Sequence, residues 1–275
     1  MDYEAVMLRA LQYIDEHLQH AITVAGVAGA VHMSPYHFHR VFTAWAGEPL
    51  MTYVRRRRLA YAATALSVHG RTIQDIALDC QFASQATFTR AFQQAYGVTP
   101  GRYRRSGALP SADPAFKRHA DREANRLTRI VDGPALTFIG LELRDLDTGE
   151  PNSSRIESLW NVFMSRAHEI QNMGGVSYGV CIPTEGTKFN YMAAVAVDPP
   201  VSVPEGMVRF SIKPQTYAAF SHDGHVTQIV NTFEYIWSEG LAATGQEYKE
   251  GVPDLEVYRA VQEDAMQIEI WIPVR

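Results

Sequence analysis

The stretch CQFASQATFTRAFQQAYGVTPGRYRR, Cys80 to Arg105, carries a short helix whose two faces differ in chemistry. Phe88, Ala91, Phe92 and Ala95 recur at helical spacing and make an apolar face. Gln85, Ala86, Thr89, Arg90 and Gln93 point the other way. These are small, hydrogen-bonding or cationic side chains without a carboxylate, a surface suited to base edges and phosphate. Upstream, Ile73 to Leu78 reads as a second short helix, and the turn Cys80-Gln-Phe82-Ala joins the two at helix-turn-helix length. In such a unit the second helix, opened here by Ser84, lies in the major groove.

The same unit occurs earlier in the chain. Ser34, Phe38, Arg40, Phe42, Gly47 and Tyr53 stand fifty positions before Ser84, Phe88, Arg90, Phe92, Gly97 and Tyr103. Before the turn the offset is forty-nine: Val24, Val27, Ala28 and Met33 answer Ile73, Ile76, Ala77 and Phe82. The second copy therefore has one extra turn residue, and two helix-turn-helix units lie in tandem. With the arginine-bearing helix between them and the ending Phe92-x(4)-Gly97-Val-Thr-Pro100-x-x-Tyr103-Arg104, residues 5 to 106 resemble the AraC/XylS transcription regulators. The resemblance implies a transcription regulator, activator or repressor, with double-stranded DNA as its partner and RNA polymerase as a candidate second one; a cytoplasmic location fits.

Charge divides the chain. Residues 1–119 carry a net charge of +5 and residues 120–275 one of −10, within a total of −5. The basic part suits phosphate and the acidic part does not. The two cysteines, Cys80 and Cys181, fall in different halves, which excludes a disulfide framework and a C-x-x-C metal knuckle. The opening residues, MDYEAVMLRALQYIDEHLQH, are acidic and helically periodic where a signal peptide would be basic and then apolar. No stretch reaches the length of a membrane span. No cofactor or metal is expected, because His17 and His20 at i, i+3 lack a third ligand nearby.

In chain order, residues 3–19 read as a helix that caps the first domain. Ser34-Pro35 is a favourable N-cap and N1 pair for the first recognition helix. Its outward face is Tyr36, His37, His39, Arg40 and Thr43, and its inward face is Phe38, Val41, Phe42 and Trp45. Residues 49–68 form a long helix on which Arg55, Arg56, Arg57 and Arg58 step by about 100° each, so they cannot all reach one phosphate backbone. Arg55 and Arg57 are the phosphate candidates. The resemblance implies that one arginine folds inward, with Asp75 or Asp79 the nearest carboxylates in sequence. The DNA-contacting set is then Tyr36, His39, Arg40, Thr43, Arg55, Arg57, Ser84, Gln85, Thr89 and Arg90.

Residues 107–123 mix Gly, Pro, Ser and charges and read as a linker between a 1–106 DNA-binding domain and a 124–275 domain. The second domain alternates strand and helix signals twice: a strand at 136–143, a helix at 156–170 and strands at 177–182 and 189–197. The order repeats with a strand region at 208–221 bent near Pro214, a helix at 226–240, and strands at 255–258 and 266–274. The fold class is thus multidomain, an all-α double helix-turn-helix domain followed by an α+β domain of duplicated βαββ units. With the endings Pro253-Asp-Leu-Glu256-Val-Tyr258 and Ile268-Glu-Ile-Trp271-Ile-Pro273-Val, this half resembles the GyrI-like effector-binding domain. That resemblance implies a small cationic or amphipathic effector bound in a groove between the repeats.

Alternation along the last strand places Ile268, Ile270 and Ile272 on one face and Gln267, Glu269 and Trp271 on the other. Leu255 and Val257 likewise oppose Asp254, Glu256 and Tyr258. The expectation is one acidic and aromatic face, with Glu256 near Trp271 or Glu269, competing with a merely solvated outer face. The ligand set is Glu256, Tyr258, Trp271, Trp237, Trp160 and Tyr178. Gly175-Val-Ser177-Tyr-Gly179 matches the G-x-S-x-G elbow, but strand residues rather than a helix follow the serine. Glu256 and Tyr258 keep a small-molecule hydrolase as an alternative, and a ligand-independent regulator with a protein-contacting second domain is the other.

Overall fold

Ser34 and Ser84 open equivalent helices in the computed structural model, which describes residues 3–67, 70–106, 128–150, 152–171, 173–198, 202–222, 226–261 and 265–275. The expected linker, 107–123, lies outside the described residues. The helical region runs α1 (Tyr3–Glu16), α2 (Val24–Ala30), α3 (Pro35–Ala46), α4 (Leu50–Ser67), α5 (Ile73–Asp79), α6 (Gln85–Tyr96) and α7 (Pro100–Ser106). Ser34 accepts from the His37 amide and Ser84 from the Thr87 amide, each satisfying a donor that the first helical turn leaves free. Both helices end on a glycine in the left-handed region, Gly47 at φ 70° and Gly97 at φ 74°, where only a residue without Cβ is unstrained.

The repeat extends to geometry that the sequence does not spell out. Both turns place a non-glycine residue at positive φ, His32 at 59° and Gln81 at 61°. Each turn closes with the same bond, Met33 N to Ala28 O and Phe82 N to Ala77 O, both 3.0 Å. The aromatic anchors match too: Phe42 meets Tyr53 edge-on at 5.5 Å and Phe92 meets Tyr103 edge-on at 5.3 Å. Phe38, Phe42, Phe88 and Phe92 are fully buried, each contributing about 1.5–3 kcal/mol.

The second region is one antiparallel sheet of eight strands in the order β1-β6-β8-β7-β3-β4-β2-β5. Its strands are β1 (Thr128–Gly133), β2 (Leu136–Asp147), β3 (Met173–Pro183), β4 (Lys188–Val197), β5 (Val208–Ile212), β6 (Gln215–His222), β7 (Asp254–Val261) and β8 (Ala265–Pro273). The duplicated βαββ units are β2-α8-β3-β4, with α8 spanning Ser153–Arg166, and β6-α9-β7-β8, with α9 spanning Ile229–Tyr235. A π-turn, Ile236–Gly240, and the short α10, Leu241–Ala243, continue α9. The units meet where β3 pairs with β7. Pro214 separates β5, which extends one edge beside β2, from β6, which carries β1 at the opposite edge. Strand β1 is an addition to the elements expected from the sequence.

Two layers of core separate across this sheet. Phe138, Val180, Met192, Tyr217, Leu255, Val257 and Trp271 pack on one face. On the other, α8 covers Ile139, Tyr191, Ala193 and Val195 through Leu159 and Phe163. The rest of that face joins the first helix-turn-helix unit: Ala218, Phe220, Trp237, Ile270 and Ile272 form one continuous core with Met7, Ile14, Phe38 and Phe42. The second unit keeps a core of its own around Leu59, Ile76, Phe88 and Phe92.

Candidate effector groove and nucleic-acid face

Strand parity puts Asp254, Glu256 and Tyr258 on the helix-covered face of β7, and the central pairing sets Gly179 opposite Glu256 and Cys181 opposite Asp254. Tyr191, paired with Cys181 on the next strand, reaches the same place. Its hydroxyl donates to Glu256 Oε2 at 2.5 Å, and the Tyr258 hydroxyl donates to the same oxygen at 2.8 Å. Trp160 Nε1 donates to the Tyr191 oxygen at 2.9 Å, and its ring meets Tyr258 edge-on at 5.1 Å. Glu256 is only 7% exposed. Burial pushes its carboxyl above the ordinary glutamate range, and the two phenols draw it partly back.

Gly179 makes this cluster possible. A Cβ there would lie 2.3 Å from both Glu256 Oε2 and the Tyr191 hydroxyl, too close for any real side chain, so carboxylate and phenol share the space over the strand. Neither Tyr191 nor Gly179 was among the candidates from sequence, because alternation within one strand does not say which residues of its neighbours share that face.

The cluster around Glu256 corrects half of the expected ligand set. Glu256, Tyr258 and Trp160 come together. Trp271 does not join them, because β7 and β8 pair Leu255 with Trp271 and Glu256 with Ile270. Trp271 and Glu269 therefore lie on the opposite face, where Trp271 Nε1 donates to Glu269 at 3.1 Å and Arg129 and Arg259 pair with that carboxylate. Tyr178 is also on the opposite face, edge-on to Phe138 at 5.2 Å. Trp237 is on the helix side but packs against α3, its ring 5.3 Å from His37 and 5.2 Å from Tyr248.

The helices opened by Ser34 and Ser84 present their outward residues differently. On α6, Ser84, Gln85 and Arg90 are exposed and Thr89 is half-buried. On α3, Tyr36 and His39 are buried, Arg40 and Thr43 are intermediate, and the expected open face is covered. Arg40 forms an ion pair with Asp254, His39 meets the Thr148 hydroxyl at 3.1 Å, and Tyr36 packs on Phe189 at 6.2 Å. The Ser34 amide donates to Glu250, which also faces His37 at 3.5 Å. Those contacts hold Glu250 down at about 2, the His37 ring first. Burial lowers His37 and His39 below the usual histidine range.

The arginine run on α4 is largely engaged. Arg56 pairs with Glu48, Arg57 pairs with Asp15, and Arg58 donates to the Leu18 and His20 carbonyls. Arg55 is exposed. The expected inward partners belong elsewhere: Asp75 closes a capping box with Thr72, and Asp79 pairs with Arg71. Local geometry decides this, since a Thr-x-x-Asp sequence at a helix start satisfies the first-turn amides. Among the described residues no group of three or more His, Cys, Asp or Glu is placed to hold a metal, and no helix is long and apolar enough to cross a membrane. Ser177 sits within β3, paired with β7 and β4, so it is not a nucleophile elbow.

Residues 129–274 match the family described as Cass2, integron-associated effector binding protein, and residues 27–106 match a helix-turn-helix domain family. The transcriptional regulator BrlR of Pseudomonas aeruginosa is 38% identical over 156 residues, covering 54% of this chain and 56% of BrlR. The right origin-binding protein of Escherichia coli is 39% identical over 106 residues, covering 38% of this chain and 37% of that protein. The chain thus spans about half or less of the length of these relatives. The solved structure of SAV2435 bound to tetraphenylphosphonium is 19% identical with a TM-score of 0.45, covering 54% of this chain and 94% of that one.

Proposed function

The chain belongs to the integron-associated effector-binding family, and we propose that it is a DNA-binding transcription regulator with an effector-binding domain. From that premise we propose that its effector is a lipophilic cation received at Glu256, and that α3 and α6 read DNA with α4 on phosphate. The observation that carries the effector reading is Glu256 itself. It is a buried carboxylate whose hydrogen bonds come from two phenols, within an aromatic wall of Trp160, Tyr191 and Tyr258. Neutral donors restore only part of the hydration a carboxylate loses on burial, and a cation over aromatic faces supplies the remainder. The same site has little to offer an anion.

On the DNA side, the exposed Gln85 and Arg90 with the half-buried Thr89 form the base-reading group on α6, with Tyr36, His39 and Arg40 their counterparts on α3. Arg55 is the phosphate contact, since Arg57 is held by Asp15. The domains function as the regions 1–106 and 124–275. A hydrolase reading would need a nucleophile beside Glu256, and the hydroxyls there, Tyr191 and Tyr258, both have pKa values pushed up by burial.

Calorimetry with tetraphenylphosphonium, chosen as a delocalised lipophilic cation, tests the effector reading. Glu256→Gln keeps the shape and removes the charge, so binding should weaken by about 1.5–3 kcal/mol. The neutral triphenylphosphine oxide should be affected less. Equal tetraphenylphosphonium affinities for wild type and Glu256→Gln would mean that Glu256 is not the recognition charge.

A further inference from the structure

Arg40 occupies surroundings that resemble a ligand site more than a protein surface. Its guanidinium pairs with Asp254, which is 1% exposed, while Arg40 itself is 13% exposed. Its Nη1 donates to the Tyr36 hydroxyl at 2.8 Å. The guanidinium carbon lies 4.4 Å from the Trp237 ring centre and 5.1 Å from that of Phe233. A cation enclosed by rings beside a buried carboxylate is the chemistry by which organic cations are recognised. Asp254 is two residues from Glu256 on the same face of β7, and Arg40 acts on both carboxylates. Asp254 beside Arg40 and Glu256 beside Trp160, Tyr191 and Tyr258 therefore form one acidic, aromatic strip along the same face of β7.

The fit is incomplete. Asp254 Oδ1, Tyr248 Oη and Trp237 Nε1 are buried around Arg40 with no hydrogen-bond partner. Buried polar atoms without partners each retain a desolvation penalty, so the contact is weaker than its burial suggests. Covering this seat also removes Tyr36, His39 and Arg40 from any DNA. No base edge can reach Arg40 while Asp254 holds it.

We propose that Arg40 is an internal stand-in for the cationic effector: it holds the DNA-reading face of α3 in the acidic aromatic strip of the second domain, and a cation entering that strip displaces Arg40 and frees α3 for DNA. This rests on the reading of the groove as a cation site and of α3 as a DNA reader. The thermodynamics require only that the cation bind the released form better than the docked one. Direct competition for one seat guarantees that difference.

Hydrogen–deuterium exchange of the α3 amides in the full chain tests this, with tetraphenylphosphonium as the probe. Asp254→Asn, close in shape, should raise α3 exchange about tenfold or more, the size of a lost charge-assisted hydrogen bond. Phe233→Ala, which removes a ring from the cage, should move it the same way and guards against a folding defect specific to the first variant. In wild type, saturating tetraphenylphosphonium should reproduce the effect, while exchange in α6 stays constant. Exchange left at the wild-type rate by both variants overturns the Arg40 lock. Calorimetric binding of tetraphenylphosphonium with α3 exchange unchanged overturns the competition. Absence of binding to wild type and to Asp254→Asn alike would overturn the cation reading of the groove, whereas faster α3 exchange in the variants would still support the lock.

Discussion

The first helix-turn-helix unit and the second share caps, turn conformations and aromatic pairs, yet Arg40 is enclosed by the sheet domain and Arg90 is exposed. The inward faces explain the likeness. Phe38 and Phe42 in one unit and Phe88 and Phe92 in the other fill equivalent positions and define the fold. The outward faces explain the difference: α3 carries Tyr36, His37 and His39, which bury well, whereas α6 carries Gln85, Ala86 and Thr89. One repeat has become an interface. Its core is continuous with the effector domain, and the core of the second is separate.

The largest effect should come from the cores. Phe88→Ala and Phe38→Ala each empty a fully buried site and should cost about 3–5 kcal/mol. Phe88→Ala should melt the second unit while tetraphenylphosphonium binding persists. Phe38→Ala should disturb both, because its core includes Trp237 and Ile270. Separate calorimetric transitions and effector titrations on the two variants measure this, and identical behaviour would erase the distinction between the units.

Next in size is the pair of equivalent arginines. Arg90→Ala should weaken binding to a duplex selected from a random pool by about 1–3 kcal/mol and relax base preference locally. Arg40→Ala should show a smaller net loss in the absence of effector, because it removes a DNA contact and the Asp254 contact together. Fluorescence anisotropy of both variants, with footprinting, would show whether the asymmetry exists.

Acidification should open the first unit and spare the second. His37, beside Glu250, Tyr3 and Arg40, and His39, near Asp147, have folded pKa values lowered by burial. Both therefore take up protons more readily when α3 is released or unfolded, and stability falls as pH drops through the ordinary histidine value of about 6.5. Glu250, held at about 2, adds to this loss only at lower pH, below the ordinary glutamate value of 4.5, where the released or unfolded chain protonates first. Exchange of α3 amides, corrected for intrinsic pH dependence, should rise between about pH 7.5 and 5.5. A flat profile would show that these histidines do not secure the contact.

The smallest effect concerns α4. Arg55→Ala should lower the slope of log affinity against log salt by about one, and Arg57→Ala, whose partner is Asp15, should change it less. Salt titrations of the two variants can reverse that order.

The repeat, the caps and nearly every element were legible because they rest on local chemistry: Ser34 and Ser84, Gly47 and Gly97, and apolar spacing. The cluster around Glu256 was half legible. Alternation fixes which residues share a face within one strand, so Glu256 and Tyr258 were paired correctly. It does not relate two strands, and the register that pairs Glu256 with Ile270 sends Trp271 to the far side. The covering of Tyr36, His39 and Arg40 was not legible at all. It depends on contacts such as Arg40 with Asp254, 214 residues apart in sequence. The arginine run misled for a related reason: proximity in sequence favoured Asp75 and Asp79, while Arg56, Arg57 and Arg58 found partners on the turn before α4 and on α1 and its following loop.

Coupling between effector and DNA is the central claim, and reciprocity makes it measurable from either side. Tetraphenylphosphonium should be titrated calorimetrically into the full chain, free and saturated with the selected duplex. With α3 drawn onto DNA, Arg40 leaves the acidic strip, so the cation should bind about tenfold or more tightly to the DNA complex, and the duplex should gain affinity by the same factor when the cation is present. Equal cation affinities with and without DNA would contradict the account.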